Sequence, residues 1–173
     1  MRIAIAERLR NCGLELHPEK TKVVYCKDDD RRGNYPNEKL DFLGYTFRPR
    51  ESMNRNGRFF INFSPAVSRQ AAKAIRDRIR SWKLPKRSDR AIADRSQKVN
   101  PIVRGWFQYY GRYYRSELSR TMRQLARDLA RWAERKYKKL RYRRRRAEQW
   151  IARISRRNPE LFVHWQMGRG VAL

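Results

Sequence analysis

Cysteine is nearly absent from this chain of 173 residues. Cys12 and Cys26 are the two present, and histidine is as rare, at His17 and His164. Two thiols and two imidazoles spread over the length of the sequence cannot supply the clustered ligands of a structural zinc site. Neither histidine lies near a nucleophile motif, which argues against a hydrolytic triad. Acidic side chains are scarce too, with 17 Asp and Glu against 44 Lys and Arg. Their one cluster is Asp28-Asp29-Asp30, followed by Arg31-Arg32. Three consecutive carboxylates cannot all face one ion, so the cluster reads as a solvated turn. No other carboxylates are placed for two-metal phosphoryl transfer, and no metal or cofactor site is expected. No apolar run approaches the roughly 20 residues that span a bilayer. The start, Met1 to Glu7, meets charge too early for a secretory signal. A reducing, cytoplasmic setting and no membrane partner are the expectations.

What the chain has in excess is positive charge and aromatic rings. The formal net charge is +27, and 5 Trp, 9 Tyr and 7 Phe make up 12% of the residues. Disordered basic tails lack such aromatic content. The composition therefore points to a folded protein with a polyanionic partner, nucleic acid first among them. The charge is uneven. Residues 1–64 hold 13 basic and 9 acidic side chains, whereas residues 65–173 hold 31 and 8. Two domains are expected, 1–64 and 65–173, with polyanion binding centred on the second.

Residues 1–64 read as a short helix followed by strands. The helix runs from about Arg2 to Cys12 and ends at Gly13 as a C-cap would. Thr21 to Cys26 is rich in β-formers, Leu40 to Phe47 follows a polar turn-forming stretch, and Phe59, Ile61 and Phe63 alternate with Arg58, Phe60 and Asn62. Three short strands make no self-sufficient core.

Residues 65–173 read as helices, which makes the whole α+β and mostly α. Ser64-Pro65 has the form of a cap followed by a first helical residue. Val67, Ala71, Ala74, Ile75, Ile79 and Trp82 then share one face, and Pro85 closes the helix. Ser88-Asp89 could cap a short helix, and Asn100-Pro101 is a second cap pair. Val99, Val103, Trp106 and Tyr110 read as core. The clearest helix spans about Ser116 to Tyr142, with Leu118, Met122, Leu125, Leu129, Trp132 and Leu140 on one side. Arg120, Arg123, Arg127, Arg131, Arg135 and Lys138 form a stripe on the other, followed by the run Arg143 to Arg146. A last helix, about Ala147 to Arg156, buries Trp150, Ile151 and Ile154. His164-Trp165 reads as packing.

The stripe is the strongest chemical signal. Like charges at helical spacing repel one another unless a polyanion screens them. The guanidinium fork suits bidentate contacts to phosphate and base edges. Arg104, Tyr109, Arg112 and Tyr113 add a surface where rings could stack on unpaired bases, a mode that favours RNA over duplex DNA. The expected RNA-binding set is these four residues with the stripe, Arg143 and Arg144.

Five segments carry a resemblance, two in the first part of the chain and three in the second. Gly13-Leu-Glu-Leu-His-Pro-Glu-Lys-Thr21 and Phe42-Leu-Gly-Tyr45 resemble the end of a reverse-transcriptase palm. Asn100-Pro-Ile-Val-Arg-Gly-Trp-Phe-Gln-Tyr-Tyr110, Trp132 to Leu140 and Pro159-Glu-Leu-Phe-Val-His-Trp165 resemble the maturase-specific thumb, or domain X, of group II intron proteins. The resemblance implies a small β-rich palm remnant followed by a helical thumb. It implies that Lys20 matches the palm lysine near the departing pyrophosphate. The Tyr-Ala-Asp-Asp-type motif that binds magnesium in that family is missing from this sequence, so Lys20 has no active site here to serve. Magnesium belongs to an intact polymerase only, and no catalysis is expected.

The resemblance further implies a C-terminal piece of an intron-encoded protein, from a truncated frame or a split one, in a bacterium or an organelle of bacterial descent. Its partner would be group II intron RNA, whose folding and splicing it assists, and the thumb also suits a template–primer duplex. Three alternatives stand beside this: the C-terminal subunit of a split reverse transcriptase that needs an upstream fingers–palm chain, a generic basic nucleic-acid-binding protein, and an inactive pseudogene product.

Overall fold

The structure, a computed structural model, describes residues 2–31, 33–86 and 91–167. In chain order its elements are α1 (Arg2–Asn11), β1 (Leu40–Phe42), β2 (Tyr45–Met53), β3 (Phe59–Val67), α2 (Arg69–Ser81), α3 (Ile92–Tyr110), α4 (Arg115–Lys136), α5 (Arg144–Arg157) and α6 (Val163–Met167). Short 3-10 turns lie at Leu84–Lys86, Lys138–Leu140 and Pro159–Leu161. The strands form one antiparallel sheet in the order β1-β2-β3, so the fold is α+β and mostly α. The chain divides into two compact units, Met1–Leu40 with Arg48–Phe63, and Asp41–Phe47 with Ser64–Leu173.

In the first unit, α1 ends as its glycine suggests. Gly13 takes φ 72, its N–H donates to Arg10 O at 3.0 Å and Leu14 N–H to Leu9 O at 2.9 Å, a Schellman closure. Thr21 to Cys26 is not the strand its composition suggests. Of its amides, Tyr25 N–H finds a distant carbonyl, that of Asn37 at 2.8 Å, and no ladder forms. High β-propensity without a partner strand leaves extended coil. The loop between β2 and β3 is fixed by Asn54, whose Oδ1 accepts from the amides of Asn56 at 3.0 Å and Arg58 at 2.9 Å. The Asp28 cluster is a turn, but not a purely solvated one. Asp29 Oδ2 accepts the Ile61 amide at 3.0 Å, satisfying a donor on the edge strand β3. Among the described residues of this unit, Arg50 is the one that is buried.

Leu40 to Phe47, which from Asp41 on belongs to the second unit, is not one strand but a hairpin corner. Leu43 and Gly44 both take positive φ, 48 and 78, the signature of a two-residue type I′ turn. Gly44 O accepts the Ser68 amide at 2.8 Å. Ser68, not Ser64, caps α2, its Oγ accepting from Ala71 N–H at 3.1 Å. Ser64, Pro65 and Val67 belong to β3, where an edge strand tolerates a residue with no N–H. Of the expected α2 face, Ile75 and Ile79 are buried while Ala74 is exposed. The helix closes before Lys83, at φ 50, and Pro85 sits in the following 3-10 turn rather than ending the helix itself. Ser88-Asp89 lies outside the described residues.

Asn100-Pro101 is no cap either, since α3 runs through it without a break. The Asn100 side chain is spent elsewhere. Its Nδ2 donates to Leu161 O at 2.9 Å and its Oδ1 accepts from Val163 N–H at 3.1 Å. Helix α4 is the hub, packed against α2, α3 and α5. Leu118, Leu125, Leu129 and Trp132 on it are fully buried. It stops at Lys136, six residues short of the expected Tyr142, because Tyr137 turns to extended backbone at φ −108, ψ 115. Leu140 and Lys138 therefore belong to the next 3-10 turn, not to α4. In α5, Ala147 and Ile151 are buried, whereas Trp150 and Ile154 are half-buried. His164 is buried between Phe162 and Trp165, with ring centroids 5.5 and 5.7 Å away.

Candidate nucleic-acid interface

The burial of α4 explains its charge pattern. At about 100° per residue, its buried side chains run most of the way round the helix, from Gln124 through Leu125 and Met122 to Ala130. The remaining narrow strip faces solvent. It holds Arg120, Arg123, Arg127, Arg131 and Arg135, with Ser116 and Glu134 beside them. The arginines occupy the strip because, past its first residue Arg115, the rest of the helix surface is buried or half-buried.

Carboxylates anchor part of the strip from its flank. Asp128 is buried, and Gln124 Nε2 donates to its Oδ1 at 3.1 Å. Gln124 Oε1 in turn accepts from Arg127 Nη2 at 3.1 Å, and Arg131 Nη1 lies 3.7 Å from Asp128 Oδ1. Burial pushes the Asp128 carboxyl above its ordinary range, against the pull of the Gln124 hydrogen bond and of Arg131, Arg127 and Arg80. Arg120 pairs with Glu117 at 3.3 Å, and Arg135 Nη1 donates to Pro85 O at 3.2 Å. These contacts preset the guanidinium orientations while leaving the groups solvent-exposed.

Below the strip the basic surface continues into a groove of about 730 Å³, lined by Arg131, Arg135, Lys136, Lys138 and Arg141 with Glu134 as its single carboxylate. Lys138 thus joins the stripe in space although it has left the helix. Tyr142, 87% exposed at φ 60, forms one wall, with the Arg141 guanidinium 5.2 Å from its ring. Arg143 and Arg144 open α5, where Arg144 Nε pairs with Glu148 at 3.1 Å.

Tyr109, Arg112 and Tyr113 gather on Tyr45. The ring of Tyr45 lies 5.4 Å from Tyr109, 5.4 Å from Tyr110 and 5.9 Å from Tyr113. Tyr109 Oη donates to Leu43 O at 2.9 Å, and the Tyr45 hydroxyl donates to Tyr109 O. Burial, then the neighbouring phenols, raise the Tyr45 hydroxyl, with Arg112 opposing. These tyrosines brace the hairpin corner, yet about half of Tyr109 and Tyr113 remains open to solvent. Arg104 stands exposed on α3. Lys20 lies in the first unit, in a turn where its backbone N–H donates to His17 Nδ1 at 3.3 Å.

Residues 72–150 match the family model of the group II intron, maturase-specific domain. The chain carries a group II intron maturase-specific domain. The match begins within α2 and ends within α5, so it contains the α4 strip, the basic groove and Tyr109 to Tyr113. A maturase-type role in group II intron splicing follows from the domain. No curated protein and no solved structure matches the chain. Sequence reading of the maturase domain missed Gln124 and the link it makes to Asp128. Their i, i+4 spacing on the flank of the stripe was the available signal.

Proposed function

We propose that the chain binds group II intron RNA through the solvent-facing arginines of α4 and the groove below them, and that this binding favours the splicing-competent RNA fold. The observation that carries the reading is the open strip of α4, where five guanidiniums share one side with two partly buried carboxylates, Glu117 and Glu134. Splicing chemistry stays with the RNA. The protein contributes binding free energy to one RNA conformation over others. Arg104, Tyr109, Arg112 and Tyr113 form a second contact surface, suited to unpaired bases. Arg143 and Arg144 extend the basic side. A cytoplasmic or organellar compartment that houses intron RNA is the setting.

The test replaces Arg123, Arg127 and Arg131 by Gln, which retains good helix formers. RNA affinity falls, and the slope of log K against log[salt] shrinks by about 0.7–0.9 per lost phosphate contact. Unchanged affinity and slope in a folded variant overturn the reading.

A second reading, the C-terminal subunit of a split reverse transcriptase, is favoured by one observation. Phe59, Phe60, Ile61 and Met53 of the first unit are exposed on β2 and β3, an apolar surface of the kind a partner chain covers. Co-elution with a fingers–palm chain supports it. Separate elution at micromolar concentration counts against it.

A further inference from the structure

We propose that the cavity between the Lys138–Leu140 turn and α5 is a binding site for the base of an unpaired RNA nucleotide, with the flanking phosphates held by Lys138, Lys139, Arg146 and Arg153. The cavity measures about 690 Å³, within the usual range for a small-ligand site. Tyr137, Leu140 and Trp150 make its apolar part. The rings of Tyr137 and Trp150 are 4.9 Å apart at 53°, and Tyr137 meets the buried Trp132 edge-on at 6.0 Å. These rings are already in contact, so a base cannot slide between them. It stacks on their open side.

The rest of the lining decides the class of ligand. Four exposed cations stand around the rings, and no carboxylate lines the cavity. The nearest acid along α5, Glu148, is turned to Arg144 at 3.1 Å. An apolar planar body with attached negative charge satisfies both halves, and a nucleotide has that form. Lys136 and Lys138 line this cavity and also the groove beneath the arginine strip. A strand whose phosphates follow α4 can therefore turn one base in here. The inference rests on the RNA-binding reading above, but the base contact is separable from the phosphate contacts.

The separation comes from two octamers of equal charge, oligoadenylate and a fully abasic ribose-phosphate strand, titrated onto the full chain. The unaltered protein binds oligoadenylate about tenfold more tightly than the abasic strand, the effect of one stacked base. Tyr137→Ala lowers that ratio several-fold, and any remainder belongs to the Tyr109 and Tyr113 surface. The Arg123, Arg127 and Arg131 triple Gln variant weakens both strands by a common factor and keeps the ratio. If it weakens neither, the α4 reading fails while the base site stands. Should Tyr137→Ala not fold, the indole N–H resonance of Trp150 in the unaltered chain decides: adenosine monophosphate shifts it and ribose 5-phosphate does not. Equal affinity for the two octamers, a ratio unchanged by Tyr137→Ala, or an unmoved Trp150 resonance overturns the proposal.

Discussion

Gln124 and Asp128 lie one turn apart on α4, both buried, and the amide of the first donates to the carboxylate of the second at 3.1 Å. Because burial raises the Asp128 pKa above its unfolded value, the folded state holds this proton more tightly than the unfolded one. The stability it contributes is full below about pH 4 and declines as pH rises through the raised value. Asp128→Asn removes the dependence. The difference in melting temperature between the parent and Asp128→Asn should therefore shift against the parent from pH 3.5 to 7. A difference that moves the other way refutes the assignment.

His164 gives the opposite sign. It is buried, neither ring nitrogen has a partner among the described residues, and burial lowers its pKa to about 3. The unfolded chain takes up this proton first, so stability is full above about pH 6.5 and is lost as pH falls below it. His164→Phe should relieve that loss and stabilise the fold by about 1 kcal/mol at neutral pH, since an unsatisfied buried polar group costs about 1–3 kcal/mol. Thermal melts at pH 4.5 and 7 check both statements.

Asn100 is expected to hold the end of the described chain. Asn100→Ala removes two hydrogen bonds to the backbone of Leu161 and Val163, at a cost of about 1–3 kcal/mol. Hydrogen exchange at the Val163 amide should accelerate more than exchange at the α4 amides. Uniform acceleration would mean that the asparagine stabilises the fold globally instead.

Gly44 allows no side chain. At φ 78, a Cβ would lie 2.7 Å from Tyr110 Oη. Gly44→Ala should cost about 1–3 kcal/mol through left-handed strain alone, with the clash added. A melt within half a degree of the parent contradicts this.

Deoxynucleotide incorporation on a primed RNA template should not be detected with this chain alone, because its sequence contains no Tyr-Ala-Asp-Asp-type motif. Phosphoryl transfer of this kind needs carboxylate-held magnesium. Incorporation abolished by Asp41→Asn would overturn the expectation.

The arginine strip was legible because helical spacing alone sorts Arg120 to Arg135 from Leu118 to Trp132. Signals that depend on a distant partner were not. Ser64-Pro65 and Asn100-Pro101 have the local form of helix caps, and each is overridden by tertiary structure. Pro65 is tolerated on an edge strand, and Asn100 finds its partners about 60 residues away. The same limit hid the base cavity. Periodicity carries α4 smoothly on to Tyr142, and only the turn to extended backbone at Tyr137 swings that ring toward Trp150.

The hairpin corner at Leu43–Gly44 has a consequence for where this chain can be cut. Gly44 O takes the Ser68 amide and Leu43 O takes the Tyr109 hydroxyl, while Asn100 reaches forward to Leu161 and Val163. The stretch that matches the family model, 72–150, contains one end of each tertiary bond made by Tyr109 and Asn100 and the other end of neither. Grafted alone onto another protein it would carry the basic surface but not its bracing. A transplantable unit has to include residues 41–47 and the chain as far as α6, so what inheritance would move as one block is longer than the block that similarity detects.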